Sequence, residues 1–171
     1  DIGYFEGAGK DSAKHKLDLF IPPTPENAPI FFFVHGGAWV QGDKNFFGIY
    51  SAIGRFAAQN GMIGVVISYR LTPKVKHPSH AEDVARAIAW TTNNIKKYGG
   101  DPEKIILCGH SAGGHLVSLV TCDPTYFKTE KVNPSSIKGV ISISGVYEIP
   151  AIILGNVFGN TPEKKVQASP I

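Results

Sequence analysis

Cysteine is scarce in this chain: Cys108 and Cys122 are the only two among 171 residues, and they form no CxxC pair. Two thiols cannot build a disulfide framework, so both are expected to be reduced and to act as small hydrophobes. Charge of one sign is scarce as well. The 17 Lys and Arg meet 14 Asp and Glu, which leaves a formal charge of +3 at pH 7. The tightest basic groups, Lys74 with Lys76 and Lys96 with Lys97, are too short for a phosphate-tracking stripe, so no nucleic-acid partner is expected. Long apolar runs are missing too. "IFFFV" (30–34) and "MIGVVI" (62–67) are strand-length, well short of the roughly 18 residues a membrane helix needs, so no membrane partner is expected. No G-x-G-x-x-G occurs, and "GAWVQGDK" carries Asp43 where a P-loop needs its lysine. His77 and His80 flank a helix start without a metal-ligand pattern. No cofactor and no metal are expected.

What is present is a regular alternation. Around Tyr4, and through Leu17, Leu19 and Ile21, apolar and polar residues alternate, predicting two strands of an antiparallel entry. "PPTPENAP" (22–29) is a proline-punctuated turn. Beyond it the strands lose their alternation: "IFFFVH", "MIGVVISY" and "KIILCG" are continuous apolar runs, as befits strands buried on both faces, and "IKGVISIS" reads as a further strand. Helical stretches separate them, at about 47–60, from Ser79 onward, and in "SAGGHLVSLVT". In the second, Ser79 and Glu82 read as a capping box, Val84, Ile88, Thr91 and Ile95 recur at helical spacing, and Gly99–Gly100 supply the stop. The pattern predicts one α/β domain over 1–171 with a mostly parallel sheet covered by helices on both faces. Residues 145–171 break all periodicity with Pro150, Gly155, Gly159, Pro162 and Pro170, and are expected to form a loop or lid-like excursion.

Two motifs carry chemistry. "GHSAG" (109–113) matches the G-x-S-x-G nucleophile elbow, and it sits where an apolar strand turns into a helix. The elbow needs a sharp turn, so the residues two before and two after Ser111 must be small enough for neighbouring backbone to pack closely. "HGGAW" (35–39) ends the first strand of the parallel set. There, Gly36 and Gly37 can turn N–H groups toward a developing oxyanion, joined by the N–H of Ala112. Each such donor is worth about 3 kcal/mol in the transition state. Either motif alone is also common turn chemistry; both in this order, each at a strand end, are far more specific.

With these residues in view, the chain resembles an α/β-hydrolase of the carboxylesterase branch, which includes hormone-sensitive-lipase-like esterases, kynurenine formamidases and the feruloyl/acetyl-xylan esterase group. The resemblance runs through "HGGAWVQGDK" (35–44), "SYRLTPKVKHPSHAEDVARAIAW" (68–90), "YGGDPEKIILCGHSAGGHL" (98–116) and "IKGVISISGVYEIP" (137–150). The feruloyl/acetyl-xylan group resembles it most, through "GVYEIP" and "YRLTPKVKHP". The resemblance implies that Ser111 is the nucleophile, that Gly36, Gly37 and Ala112 are oxyanion donors, and that Trp39 lies near the acyl pocket. It also implies an Arg70–Asp83 ion pair. The substrate it implies is a small ester, with acetyl or feruloyl esters of plant polysaccharide as candidates, hydrolysed through an acyl-enzyme.

Serine is a weak nucleophile without an adjacent base, and in this fold the base follows it in the order Ser, acid, His. After Ser111 the only histidine is His115, one helical turn on, whose side chain runs along the helix. His35 and His110 belong to the two motifs and read as structural. Of the later carboxylates, Asp123, Glu130, Glu148 and Glu163, only Glu148 follows a strand, and the resembled family carries its acid after the next one. The triad acid and histidine are therefore expected not to be in this chain, which reads as C-terminally incomplete, with about six of eight strands and an uncovered parallel edge. Two alternatives stay open: a formamidase-type amidase sharing the same site, and a non-catalytic ligand-binding module on the same fold. Oligomeric state stays open too. So does compartment: cytoplasmic, or secreted or periplasmic if a leader has been removed ahead of Asp1.

Overall fold

The computed structural model describes residues 1–149, 154–159 and 161–170. Its centre is a six-stranded sheet of β1 (Ile2–Gly3), β2 (Lys16–Phe20), β3 (Ala28–Val34), β4 (Ile63–Ile67), β5 (Gly100–His110) and β6 (Ile137–Ile143). The strands lie in the order β1-β2-β4-β3-β5-β6. β1 and β2 enter antiparallel, and β4, β3, β5 and β6 run parallel. The alternating strands of the entry and the continuous apolar strands of the parallel set thus fall where their patterns place them.

Parallel strands need crossovers, and three helices supply them: α1 (Ile49–Gln59), α2 (Ser79–Asn94) and α3 (Ala112–Cys122). The register sorts the strand residues by face. Phe33 pairs beside Val66 and Cys108, and this face is covered by Tyr50 and Ile53 of α1. Phe32 pairs beside Val65 and Leu107, on the face where α2 and α3 pack. The predicted stripe of α2 is fully enclosed there, with Val84, Ile88, Thr91 and Ile95 all inaccessible. Each such aliphatic or aromatic side chain contributes roughly 1.5–3 kcal/mol by leaving water.

One local expectation fails. Ser79 is the first residue inside α2, the cap position belongs to Pro78, and no side chain caps the helix. Proline has no side-chain acceptor, so the Ser79/Glu82 pair is displaced by one residue from the register a capping box requires.

Two short helices follow α3: α4 (Pro124–Thr129), capped by Asp123, and α5 (Pro162–Gln167), capped by Thr161. Between them, in the stretch predicted to be a loop or lid-like excursion, lies a π-helical turn at Leu154–Phe158. Residues 150–153, 160 and 171 of that stretch lie outside the described residues. β6 is the outer parallel strand. It pairs only with β5 among the described strands, and Val140, Ile141 and Ile143 are exposed along it.

Candidate active site

The strand ends put the two motifs against each other. Val34, the last residue of β3, pairs with Gly109 of β5, so the loop that follows β3 and the turn that follows β5 leave the sheet side by side. The turn after β5 is abrupt. β5 ends at His110 and α3 starts at Ala112, leaving Ser111 alone between them at φ 53, ψ −117. A non-glycine residue with such angles is held there by its surroundings at a cost of order 1–3 kcal/mol. The restraints are visible: the Ser111 N–H donates to Ile143 O at 2.8 Å, and Ser111 O accepts the His115 N–H at 3.0 Å.

Close backbone approach explains the small residues around it. A Cβ on Gly113 would lie 2.2 Å from Val34 O and 2.6 Å from His35 O. A Cβ on Gly36 would meet His110 O at 2.9 Å and Ser111 Cβ at 3.2 Å. Gly36 is therefore seated directly on the elbow, and no larger residue fits. Gly37, at φ +115, forms the next turn, its carbonyl accepting the Val40 and Gln41 N–H groups.

These turns leave backbone donors without acceptors among the described residues. Ala112 opens α3, so its N–H is one of the helix's unpaired terminal donors, at the positive end of the helix dipole. Among the described residues neither the Ala112 nor the Gly37 N–H has an acceptor, whereas the Gly36 N–H points at the Tyr50 hydroxyl, 3.4 Å away. Ser111 is half-buried. A half-buried hydroxyl beside two free N–H groups can present a nucleophilic oxygen and a place for a negative one.

Trp39, expected beside an acyl pocket, is enclosed at 1% exposure. Its ring meets His115 and Phe158 edge-on, at 5.1 and 4.9 Å, and its carbonyl accepts the Thr72 N–H. It is part of the buried core, at the end of the loop that carries Gly36 and Gly37. A cleft of about 350 Å³ lies elsewhere, between α2 and α4, lined by His77, Glu82, Arg86, Tyr126 and Glu130 among others and not by Ser111.

No histidine among the described residues is hydrogen-bonded to the serine side chain, and most hold other partners. His35 is fully buried and stacked on Tyr69, with its Nδ1 donating to Gly36 O at 2.6 Å; burial lowers its pKa to about 4. His115 donates from Nε2 to Ala168 O at 2.6 Å, and burial lowers its pKa. His80 shares a 3.2 Å contact with Thr72 Oγ1, and His77 packs on Phe158. Burial holds both near a pKa of about 4. His110 is exposed, with Nδ1 near Gly36. Glu148 is exposed, Glu130 pairs with Arg86, and Asp123 caps α4. No histidine or carboxylate among the described residues is hydrogen-bonded to the Ser111 hydroxyl. No cluster of three or more His, Cys, Asp or Glu suited to a metal occurs among them either.

Two features escape sequence reasoning. One is Tyr50. The other is the reach of the Asp83 network. Arg70 grips Asp83 through Nε and NH2, each at 2.8 Å, as the resemblance implies. The Arg70 backbone N–H adds a third contact at 3.0 Å, Arg86 a fourth at 3.0 Å, and His15, from the turn before β2, a fifth at 3.0 Å. Asp83 and Arg86 share the i,i+3 spacing of one helix, but no spacing signal links them to residues 15 and 70; only the fold brings those in.

Residues 17–169 match the family model BD-FAE. The chain belongs to the BD-FAE family. As a BD-FAE chain it is similar to esterase LipC of Mycobacterium tuberculosis, with 41% identity over 146 residues, 81% of this chain and 35% of LipC. It is also similar to isoprenylcysteine alpha-carbonyl methylesterase ICME of Arabidopsis thaliana, with 30% identity over 148 residues, 84% of this chain and 34% of that protein. The BD-FAE chain thus spans about a third of the length of these curated relatives, 35% and 34%. Among solved structures, esterase B from Lactobacillus rhamnosis inhibited by a tributyrin phosphonate superposes with a TM-score of 0.82 at 23% identity, covering 99% of this chain and 58% of that one. That likeness shows the fold, which is the α/β-hydrolase fold.

Proposed function

We propose that this BD-FAE chain carries the nucleophile and the oxyanion hole of a serine carboxylesterase acting on small acyl esters, with acetyl and feruloyl esters of plant polysaccharide as the favoured class. One observation carries the reading: Ser111 stands alone between strand and helix at φ 53, with Gly36 seated on it and free N–H groups at Gly37 and Ala112. Relatives named as esterases, LipC and ICME, support the reaction type.

In the first step the Ser111 oxygen bonds to the ester carbonyl carbon, and the carbonyl π pair moves onto oxygen. The N–H groups of Gly37 and Ala112, with Gly36 beside them, hold that oxyanion. Its collapse expels the alcohol and leaves the acyl group on Ser111, and water then releases the acid and restores the serine. The proton acceptor and its carboxylate are assigned to residues outside these 171, since no histidine described here is hydrogen-bonded to Ser111 and His35, His80, His115 and His15 hold other partners. Trp39 acts from below, as the floor that fixes the loop.

The test is Ser111→Ala in the protein as its gene encodes it, assayed on p-nitrophenyl acetate and methyl ferulate. Loss of a catalytic serine costs up to ~10⁶ in kcat, and a fluorophosphonate should label the wild type at Ser111 alone. A Ser111→Ala protein as active as wild type would refute the reading. Faster turnover of an N-formyl amide than of either ester would move it to a formamidase-type amidase.

A further inference from the structure

We propose that Tyr50 is the side-chain donor of the oxyanion hole, completing with its hydroxyl what the backbone N–H groups of Gly37 and Ala112 begin. The inference rests on the esterase reading above and assigns one further group to it.

The hydroxyl sits at Gly36. Tyr50 lies in the first turn of α1, and its oxygen accepts the Gly36 N–H at 3.4 Å. Gly36 in turn packs on the elbow so closely that a Cβ there would stand 3.2 Å from Ser111 Cβ. One residue without a side chain is therefore all that separates the phenol from the serine.

The hydroxyl also has a proton to give. A phenol offers one donor and can accept as well. Here it accepts from Gly36, and no acceptor for its own proton occurs among the described residues. The Gly36 N–H is thereby occupied, so a purely backbone hole would keep two free donors, Gly37 and Ala112. Tyr50 restores the third. Its bond from Gly36 polarises the oxygen in the sense that strengthens the O–H as a donor.

The ring is fixed before substrate arrives. It packs on Phe33 at 5.4 Å, on His35 at 5.9 Å and on Phe46 at 6.3 Å, and His35 is itself stacked on Tyr69 at 4.3 Å. A donor held in this way needs little reorganisation when charge develops, the condition under which such groups contribute most. The proton stays covalently bound to Tyr50 throughout. It strengthens its hydrogen bond as the carbonyl oxygen becomes negative and relaxes when the alcohol leaves.

Tyr50→Phe keeps the ring and its packing and removes only the donor. In the gene-encoded protein, kcat on p-nitrophenyl acetate should fall about 100-fold while KM changes less than about threefold, the signature of an interaction made in the transition state. Affinity for a trifluoromethyl ketone, which forms a tetrahedral oxyanion on the serine, should weaken by a similar factor. The urea midpoint should not move. A Tyr50→Phe protein with wild-type kcat and wild-type ketone affinity would overturn the role of Tyr50. A rise in KM alone would overturn it as well, since it would mark Tyr50 as a binding wall. In both cases the esterase reading stands if Ser111→Ala is inactive. A wild type that hydrolyses no ester would overturn both.

Discussion

Gly113→Ala is the sharpest probe of how the elbow is built. The new Cβ would lie 2.2 Å from Val34 O, 2.6 Å from His35 O and 2.7 Å from Val34 C, all backbone atoms at the end of β3. Carbon–oxygen contacts settle near ~3.3 Å, so about 1 Å of displacement is required. β3 has little freedom to give it, because Val34 is paired to Ile67 on one side and to Gly109 on the other. Forced overpacking costs about 1–3 kcal/mol and more where backbone must shift, against a gain of up to ~1 kcal/mol because alanine favours a helix interior over glycine. The net expectation is a loss of about 2 kcal/mol. With a urea slope of about 2 kcal/mol/M, the unfolding midpoint should drop by about 1 M. Gly139→Ala is the matched control: that glycine, in β6, has ordinary φ and nothing within 4 Å of an added Cβ. There alanine should stabilise by about 0.5–1 kcal/mol through the unfolded chain. Urea unfolding of both variants, followed by circular dichroism, decides the matter. If Gly113→Ala unfolds at or above the wild-type midpoint, the elbow is not closed by backbone contact and the account of its small residues is wrong.

Acid should loosen the fold in two stages. Burial holds the folded pKa of His35 at about 4, assisted by Lys14 and opposed by the Gly36 carbonyl and Asp43. The unfolded value is about 6.5. The unfolded chain therefore binds protons first as pH falls, and stability is lost from about 6.5 down to about 4, by roughly 3 kcal/mol for His35. His77 and His80 add to the loss in the same window. For Asp83, burial alone would raise the pKa, but the contacts from His15 and Arg70 outweigh it and hold it at about 2. This depressed carboxyl contributes stability that is present above about 4 and lost as pH falls toward 2. Urea midpoints measured from pH 7 to pH 3 should fall steadily; a flat profile between pH 6.5 and 4.5 would contradict the burial of neutral histidines. Asp83→Asn should cost about 3–5 kcal/mol, because it strands the Arg70 and Arg86 charges around an inaccessible site. A loss under about 1 kcal/mol in urea would show that the network is replaceable.

The sequence made legible what depends on neighbours along the chain. Continuous apolar runs gave the parallel strands, helical spacing gave the face of α2, and glycines at fixed offsets gave the elbow, because each is a local steric or burial requirement. The capping box failed for a local reason too: Pro78 takes the cap position and leaves Ser79 inside the helix. What stayed hidden depends on the angle at which elements meet. The predicted helix at about 47–60 could not say which side chain would face the loop of Gly36 and Gly37. That is set by the left-handed pair Phe47 (φ 48) and Gly48 (φ 73), which fixes where α1 begins and hence that Tyr50 reaches Gly36. His15 is equally silent in the sequence, since its contact with Asp83 follows from the docking of the β1–β2 turn against α2.

The same division explains why Ser111 could be picked out before its neighbours could. A strained serine persists only where the structure around it over-determines its backbone, and that demand falls on particular positions. Gly36 must lack a Cβ to let the loop seat on the elbow, Gly113 must lack one to let α3 cross the end of β3, and both requirements are written as residue identity. The strain thus leaves a mark in the sequence, whereas a hydroxyl arriving from another helix leaves none. A donor such as Tyr50 needs only a ring of the right length at the right angle, and many sequences satisfy that without declaring it.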